Sequence, residues 1–348
     1  MAPRDPAVAH ATMEAHFNDL AATLDGLLAA GEAYTARFAA ETSDFVRMNR
    51  GKVRQPGSVT QGYLDLNLQW SLYHRADKAV KCAYSGLAWD PAAFAAHMAE
   101  ATDELARIAQ PAMRLAPGRY RAYLSPAAME DIAQMLCWGG FSARDLATRQ
   151  SPLARMRDAA DAGLRLDPRV TIAEATATGV APSFQDEGYV RPARVPLIDA
   201  GRLVGALVSP RTAREFGGEF PAANGANGWE TPEALAMAGG TLPARDALAA
   251  LDAGLWIGNL HYLNFSDRNA CRMTGMTRFA TFRVEGGKIV APVDVLRFDD
   301  TLCRMLGANL EALTRETELL LDSGSYRQRS LSSMRLPGAL LSEMTFTL

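Results

Sequence analysis

Strict alternation of apolar and polar residues marks the clearest predicted strand of the chain. From Leu64 to Leu72, leucine and tryptophan side chains occupy every second position, and polar side chains mostly occupy the positions between them. This period of two predicts a strand with one buried face and one solvated face. The same period continues a few residues later and predicts a neighbouring strand that carries Val80, Cys82 and Tyr84.

A period of three to four residues predicts helices elsewhere in the chain. One apolar stripe runs from Met13 to Leu27. Asp90-Pro91 and Ser125-Pro126 each combine an N-cap residue with proline at the first helical position, which is typical of a helix start. The apolar stripes that follow them extend these two helices to about Ile108 and Trp138.

The second half of the chain is predicted to consist mostly of strands and loops. Turn residues predict hairpins around Asp199–Gly201 and Glu285–Lys288, and an earlier one around Asn49–Lys52. A helix is predicted to begin at Asp299-Asp300 and to run to about Thr314, and the last strand is predicted over Leu340–Phe346. The fold class is therefore predicted to be α+β. We divide it into an N-terminal α/β unit, residues 1–124, and a β-rich C-terminal domain, residues 125–348.

Composition narrows the range of functions. The net charge is −3 and the isoelectric point is about 6.0, which argues against a general nucleic-acid binder. No stretch reaches the roughly 18–20 apolar residues that span a bilayer, so we expect no membrane partner. The first ten residues lack a basic segment followed by an apolar one, and the four cysteines form no C-x-x-C pair. These features favour a cytoplasmic protein with reduced thiols.

Common catalytic motifs are missing from the sequence. It contains no P-loop, no glycine-rich dinucleotide-binding motif, no G-x-S-x-G elbow and no H-E-x-x-H. None of the five histidines forms a pair at the spacing that directs two imidazoles to one metal ion from a helix. A zinc site assembled over long range from His74, His261 and Cys271 stays open as an alternative.

Two further positions could serve structure or function. His261 lies in a predicted strand, where it is either a structural histidine or a hydrogen-bond donor that lines a cavity. Asp186-Glu187-Gly188 is either a solvated turn or a binding loop that carries two carboxylates.

Segments spread over most of residues 33–348 resemble the TldD/PmbA family, in which PmbA is also called TldE. Ser43–Arg47 and Asn49–Gln55 resemble the N-terminal hairpin of that family. Further similar segments follow in the family's order: Gly140–Ala143, Gln150–Leu153, Asp186–Gly188, Val195–Gly201, Thr212–Glu215, Gly254–Ile257, Thr274–Arg278 and Phe282–Ile289. Each segment is a weak motif alone, and their number and order carry the resemblance.

The resemblance implies an α+β fold and an activity. TldD-type proteins are zinc metallopeptidases that pair with TldE-type proteins into heterodimers. The heterodimers enclose a chamber and trim unfolded or precursor peptides. The TldD-type subunit holds zinc with an H-E-x-x-x-H helix and a cysteine far downstream, and TldE-type subunits lack this set. The chain is shorter than typical members, with the difference in the N-terminal half.

The helix predicted over Ser125–Trp138 corresponds to the family's metal-binding helix. Met129-Glu130 and Gln134 stand where the metal motif would be. A thioether and an amide are poor replacements for two imidazoles as zinc ligands. No cysteine follows Cys303, so the downstream ligand is missing too. The resemblance therefore implies a TldE-like chain with no metal site and no catalytic residue of its own, and with zinc in a TldD-like partner.

By position, the resemblance also implies residues that face the chamber and bind the peptide. These are His261, Tyr262, Asp267 and Arg278, with Asp186 and Glu187 on a nearby loop.

Three hypotheses follow. The first is a TldE/PmbA-like subunit of a zinc metallopeptidase complex that processes peptides together with a TldD-like partner. The second is a homodimeric peptide-binding protein without protease activity. The third is a self-sufficient enzyme with a site built from Glu130, His74, His261 and a cysteine.

Overall fold

A computed structural model describes residues 66–75, 78–86, 90–157, 164–185, 190–322, 324 and 330–347. The chain divides into two compact units, one of residues 1–66 and 86–90 and one of residues 67–85 and 91–348. Almost all of the first unit lies outside the described residues, including the helix predicted over Met13–Leu27 and the hairpin around Asn49–Lys52. Apart from the strand-end residues Leu66 and Gly86, the elements and contacts discussed below belong to the second unit.

The described residues form six α-helices, three short helices of other types and fifteen strands. The helices are α1 (Pro91–Ile108), α2 (Pro126–Cys137), α3 (Ala143–Ala147), α4 (Ala154–Arg157), α5 (Pro210–Glu215) and α6 (Ala247–Leu251), with short 3₁₀-helices at Thr176–Thr178 and Ala244–Asp246 and a π-helix at Arg304–Ala308. The strands are β1 (Leu66–Arg75), β2 (Lys78–Gly86), β3 (Gly118–Leu124), β4 (Ile172–Glu174), β5 (Val195–Asp199), β6 (Arg202–Leu203), β7 (Ala234–Met237), β8 (Gly254–Ile257), β9 (His261–Asp267), β10 (Arg272–Met276), β11 (Thr281–Glu285), β12 (Lys288–Pro292), β13 (Arg297–Thr301), β14 (Leu310–Leu321) and β15 (Ser333–Phe346).

Strand β15 organises the larger of the two sheets. It pairs antiparallel with β14, β3 and β13, and parallel with β7. From this centre, one path leads through β3, β8 and β11 to β12, and another leads through β7, β4 and β5 to β6. Strands β9 and β10 join through β13, while β1 and β2 form a separate two-stranded sheet. The predicted α+β class is confirmed, and the division at residues 124 and 125 stays a prediction.

The main core lies between β15 and α2. Met129, Ile132 and Leu136 of α2 are buried in one cluster with Leu306 and Leu336. Full burial of one such side chain contributes about 1.5–3 kcal/mol to the stability of the fold. None of the helices in the part of the chain that the structure describes is both long and apolar enough to cross a bilayer.

Gly338, in the middle of β15, lies directly under the side chain of Tyr123. A Cβ added at Gly338 would lie 2.2 Å from the phenolic oxygen of Tyr123 and 2.7 Å from its ring carbon Cζ. Tyr123 is itself buried and stacks on Trp256 of β8, with 4.2 Å between the ring centroids. The ring therefore has little room to move away, and this position of β15 requires glycine.

The carboxylate of Glu230 joins the first turns of α3 and α5. It accepts hydrogen bonds from the Ser142 hydroxyl (2.7 Å), the Arg144 amide (2.9 Å) and the Ser209 amide (2.8 Å). Ser142 and Ser209 are the N-cap residues of these two helices. Burial alone would raise the pKa of Glu230, but the hydrogen bonds from Arg144, Thr212, Ser142 and Ser209 outweigh burial and lower it.

The prediction of a helix from Asp299-Asp300 to Thr314 is wrong. The chain instead forms β13, the π-helix and β14. Asp300 does not cap a helix, because its carboxylate accepts hydrogen bonds from Arg304 Nε (3.0 Å) and from the Thr345 amide of β15 (3.1 Å). The predicted last strand begins earlier than expected, at Ser333. The strands at β1 and β2 and the helices α1 and α2 are confirmed.

We expect Gly338→Ala to lower the free energy of unfolding by about 1–3 kcal/mol, because the new methyl group would overlap the buried ring of Tyr123. Urea unfolding measures this loss. Adding Tyr123→Phe should recover only part of it, since Cζ stays close to the new Cβ. Gly218→Ala is the control, because a Cβ there meets nothing within 4 Å. Equal stability of the Gly338→Ala and Gly218→Ala proteins would contradict the packing argument.

We expect Glu230→Gln to lower the free energy of unfolding by about 2 kcal/mol at neutral pH, since charged hydrogen bonds are replaced by neutral ones. The folded-state pKa of Glu230 lies below its unfolded value, so its ionisation stabilises the fold above about pH 4.3. The difference from the parent protein should therefore shrink as the pH falls through the folded-state pKa. Urea unfolding at a series of pH values measures this difference in stability. Glu215→Gln is the control, because the side chain of Glu215 is exposed. A difference that does not depend on pH would refute this account.

Candidate functional site

Helix α2 presents the three positions of the degenerate metal motif to different surroundings. The helix begins at the N-cap Ser125, whose hydroxyl accepts a hydrogen bond from the Ala128 amide (3.2 Å). Met129 is fully buried in the core, Glu130 is half-buried, and Gln134 is exposed. The three side chains therefore do not form a common ligand set.

Glu130 and Asp131 place two carboxyl groups on the half-buried side of α2. Burial raises the pKa of Glu130 to about 7, with further contributions from the negative charges of Asp131 and Asp322, while Lys81 opposes the shift. Burial also raises the pKa of Asp131 to about 6. The Asp131 carboxylate accepts a hydrogen bond from the Leu260 amide (3.1 Å), which fixes the start of β9 beside α2.

His261, the first residue of β9, contacts Arg278. Arg278 Nη1 lies 3.3 Å from His261 Nε2. The imidazole ring stands edge-on to the buried ring of Phe279, with 5.4 Å between centroids and an interplanar angle of 85°. Burial lowers the pKa of His261, and the positive charges of Arg278 and Lys81 lower it further. His261 is therefore neutral at pH 7.

Strand β2 brings Lys81 to this group. Val80 packs with Ala280 and Phe282 in one buried cluster, and the next side chain along the strand faces the other way. The ammonium group of Lys81 lies 4.3 Å from the ring centroid of Phe279, which is a cation–π contact. One phenylalanine ring thus joins Lys81 and His261.

Tyr262 protrudes beside His261 on a distorted backbone. Its φ is +55° and 77% of its surface is exposed. Strand β9 pairs His261 with Met276 and Asn264 with Thr274, so two residues of β9 lie opposite Gly275 alone. Such a bulge redirects a side chain, and a left-handed tyrosine costs about 1–3 kcal/mol that the surroundings must offset. The fold therefore holds a strained aromatic residue next to the neutral imidazole.

We define the imidazole site as His261, Tyr262, Arg278, Phe279 and Lys81, with Glu130 and Asp131 of α2 beside it. Of the side chains proposed from the sequence to bind peptide, three belong to it: His261, Tyr262 and Arg278. Asp267 lies at the other end of β9, where its carboxylate accepts a hydrogen bond from the Ala270 amide (3.2 Å) and supports a turn. Asp186 and Glu187 lie outside the described residues.

The zinc alternative receives no geometric support. His74 is exposed on β1, while Cys271 is buried in the core cluster, where burial raises its thiol pKa well above the usual range. Within the described ranges, no group of three or more His, Cys, Asp or Glu side chains could hold a metal ion. The thioether of Met129 and the exposed amide of Gln134 also do not fit zinc, so we derive no step through a metal in this chain.

Sequence reasoning missed Lys81, Asp131 and Phe279. Lys81 had one signal, since it is one of only four lysines in the chain and stands on a predicted strand. Asp131 follows Glu130 directly and so doubles the negative charge on that side of α2. No local pattern distinguishes Phe279 from a core residue.

Comparison with known proteins identifies relatives. Residues 117–348 match the family model described as the PmbA/TldA metallopeptidase C-terminal domain. A comparison with curated proteins found no match.

Three solved structures share the fold at low sequence identity. TldE from Thermococcus kodakarensis superposes with a TM-score of 0.61 at 13% identity, over 78% of this chain and 58% of that one. A protein from Bacteroides thetaiotaomicron, described as a candidate modulator of DNA gyrase, gives 0.60 at 16%, over 81% and 59%. A similarly described protein from Thermotoga maritima gives 0.58 at 16%, over 77% and 59%.

These matches cover less than two thirds of each solved chain, and identities this low show the shared fold alone. The family model, however, covers more than half of the present chain. The chain therefore belongs to the TldD/PmbA family of metallopeptidase-related proteins, as its sequence resemblance predicted.

Proposed function

We propose that this chain is the TldE-type subunit of a TldD/TldE-type zinc peptidase that processes unfolded or precursor peptides. In this proposal the zinc ion and the base that activates water belong to a separate TldD-type subunit. The present chain supplies a wall of the chamber and binds the peptide.

The observation that carries the proposal is the state of helix α2. Its motif positions hold a core methionine, a half-buried glutamate and an exposed glutamine. A subunit that holds catalytic zinc needs three protein ligands that converge on one point. The side chains of α2 serve packing and electrostatics instead, which suits a subunit that relies on a partner for the metal.

Strand β9 offers a place for a peptide. Among the described strands, β9 pairs only with β10, so its other edge has no strand beside it. An extended peptide can bind such an edge through main-chain hydrogen bonds. The side chains of β9 alternate between half-buried and exposed up to Ser266, and the imidazole site lies at the first residues of the strand.

Affinity purification of the tagged full-length chain from its host tests the proposal. We expect a stoichiometric second chain that carries H-E-x-x-x-H.

The pair should cleave a labelled unfolded polypeptide, whereas neither chain alone should do so. A chelator should abolish the cleavage and zinc should restore it. An untagged strain serves as control. Recovery of the tagged chain alone would overturn the proposal and favour a homodimeric peptide-binding protein.

A second prediction concerns the metal-motif positions. We expect the double variant Met129→His, Gln134→His to bind no stoichiometric zinc and to unfold about 2–4 kcal/mol more easily, because an imidazole replaces a fully buried thioether in an apolar core. Metal analysis and urea unfolding measure both effects. Gln134→His alone is the control, since this exposed position should change stability by less than about 0.5 kcal/mol. Stoichiometric zinc in the folded double variant would contradict this prediction, because it would show that two histidine side chains are enough to restore a zinc site on α2.

A further inference from the structure

We propose that Arg278 is a positioning residue that holds His261 as the tautomer protonated at Nδ1, so that His261 donates a hydrogen bond to a backbone carbonyl of a bound peptide. The choice of a peptide as ligand rests on the proposed function. The tautomer does not, because it follows from contacts within this chain.

The first step is the direction of the hydrogen bond between the two side chains. A guanidinium group carries only donors and keeps its charge in proteins. With Arg278 Nη1 3.3 Å from His261 Nε2, the imidazole nitrogen must be the acceptor. A neutral imidazole that accepts at Nε2 carries its single proton at Nδ1.

The second step is that no second proton reaches the ring at neutral pH. Arg278 and Lys81 face His261 from two different segments, and both disfavour an imidazolium ion. The nearest carboxyl groups on α2 are Glu130 and Asp131. Asp131 is engaged with the Leu260 amide, and burial opposes the ionisation of both groups. The cations therefore dominate, and the pKa of His261 is lowered.

The third step is that the donor is left for a ligand. Within the described part of the chain, Nδ1 of His261 has no hydrogen-bond partner. Phe279 holds the ring edge-on, which limits its rotation. The exposed Tyr262 ring lies 6.3 Å from the imidazole, so a peptide bound at this end of β9 can meet both side chains. A neutral N–H donor suits a neutral carbonyl acceptor.

Nitrogen-15 NMR of the isolated full-length chain tests the tautomer. The His261 signals are identified as those missing from a His261→Gln protein. We expect a protonated Nδ1 and an unprotonated Nε2 from pH 6 to 8. Arg278→Ala should release the ring to the Nε2–H form and raise its pKa toward the ordinary value of about 6.5. Arg278→Lys should partly restore the Nδ1–H form, because lysine is also an obligate donor.

Arg245→Ala is the control, since the side chain of Arg245 is 87% exposed and lies outside the imidazole site. It should leave the His261 signals unchanged. A protonated Nε2 in the parent protein, or the same tautomer in the parent and Arg278→Ala proteins, would overturn the positioning role. Neither result depends on whether a partner subunit is found.

Titration with a short unstructured peptide of alanine, serine and lysine tests the donor. The amide of asparagine reproduces the position of Nδ1, whereas that of glutamine reproduces Nε2. We therefore expect His261→Asn to bind the peptide nearly as well as the parent protein, and His261→Gln to bind about five- to tenfold more weakly. Equal affinities of these two variants, or no shift of the Nδ1–H signal with peptide, would overturn the donor role.

Discussion

The pairing of β15 with four neighbouring strands is the constraint on which the described part of the molecule depends. Its register with β3 brings Tyr123 over Gly338, and β3 leads directly through Ser125 into α2. Ser125 also donates a hydrogen bond to the Gly258 carbonyl (2.5 Å), just before β9 begins. A shift of β15 by one residue would exchange its two faces and displace β3, from which the chain leads into α2. The position of His261 relative to Glu130 and Asp131 is thus set by a strand that contributes no side chain to the site.

The buried Glu230 and the half-buried pair Glu130 and Asp131 differ in how the fold treats their carboxyl groups. Glu230 receives enough hydrogen bonds to keep its charge, and its ionisation adds stability above its unfolded pKa. Glu130 and Asp131 are compensated less, by one backbone hydrogen bond to Asp131, and burial raises their pKa values to about 7 and about 6. For a raised carboxyl pKa the sign reverses, so stability is lost as the pH rises past the unfolded value toward neutrality. Carboxyl groups with perturbed pKa values are found at functional sites, and also elsewhere in this fold, where burial raises the pKa of Glu104 and of Glu174 to about 7.

Local pattern predicted those elements whose sequence has a single periodicity. The alternation before Leu72, the Ser125-Pro126 cap and the Glu285–Lys288 turn each specified a local structure, and β1, α2 and the β11–β12 hairpin match them. Asp299-Asp300 resembled a helix cap because a cap and an ion pair use the same residue type, and the contacts of Asp300 with Arg304 and with the distant Thr345 decide between them. The candidate site divides in the same way. His261, Tyr262 and Arg278 followed from the order of family segments, whereas Lys81 and Phe279 meet through packing of β2 on β11 that no local pattern encodes.

In the proposed peptide-binding role, the neutral state of His261 bears on which peptides the imidazole site would accept. Every residue of a peptide presents a backbone carbonyl, so a neutral N–H donor recognises a group common to all sequences. An imidazolium ion would instead form its strongest hydrogen bonds with carboxylates and would favour acidic peptides. Arg278 and Lys81 both disfavour the imidazolium ion, so the ring stays a neutral donor. In the proposed role, a neutral imidazole would therefore recognise the extended backbone of a peptide rather than the charge of its side chains.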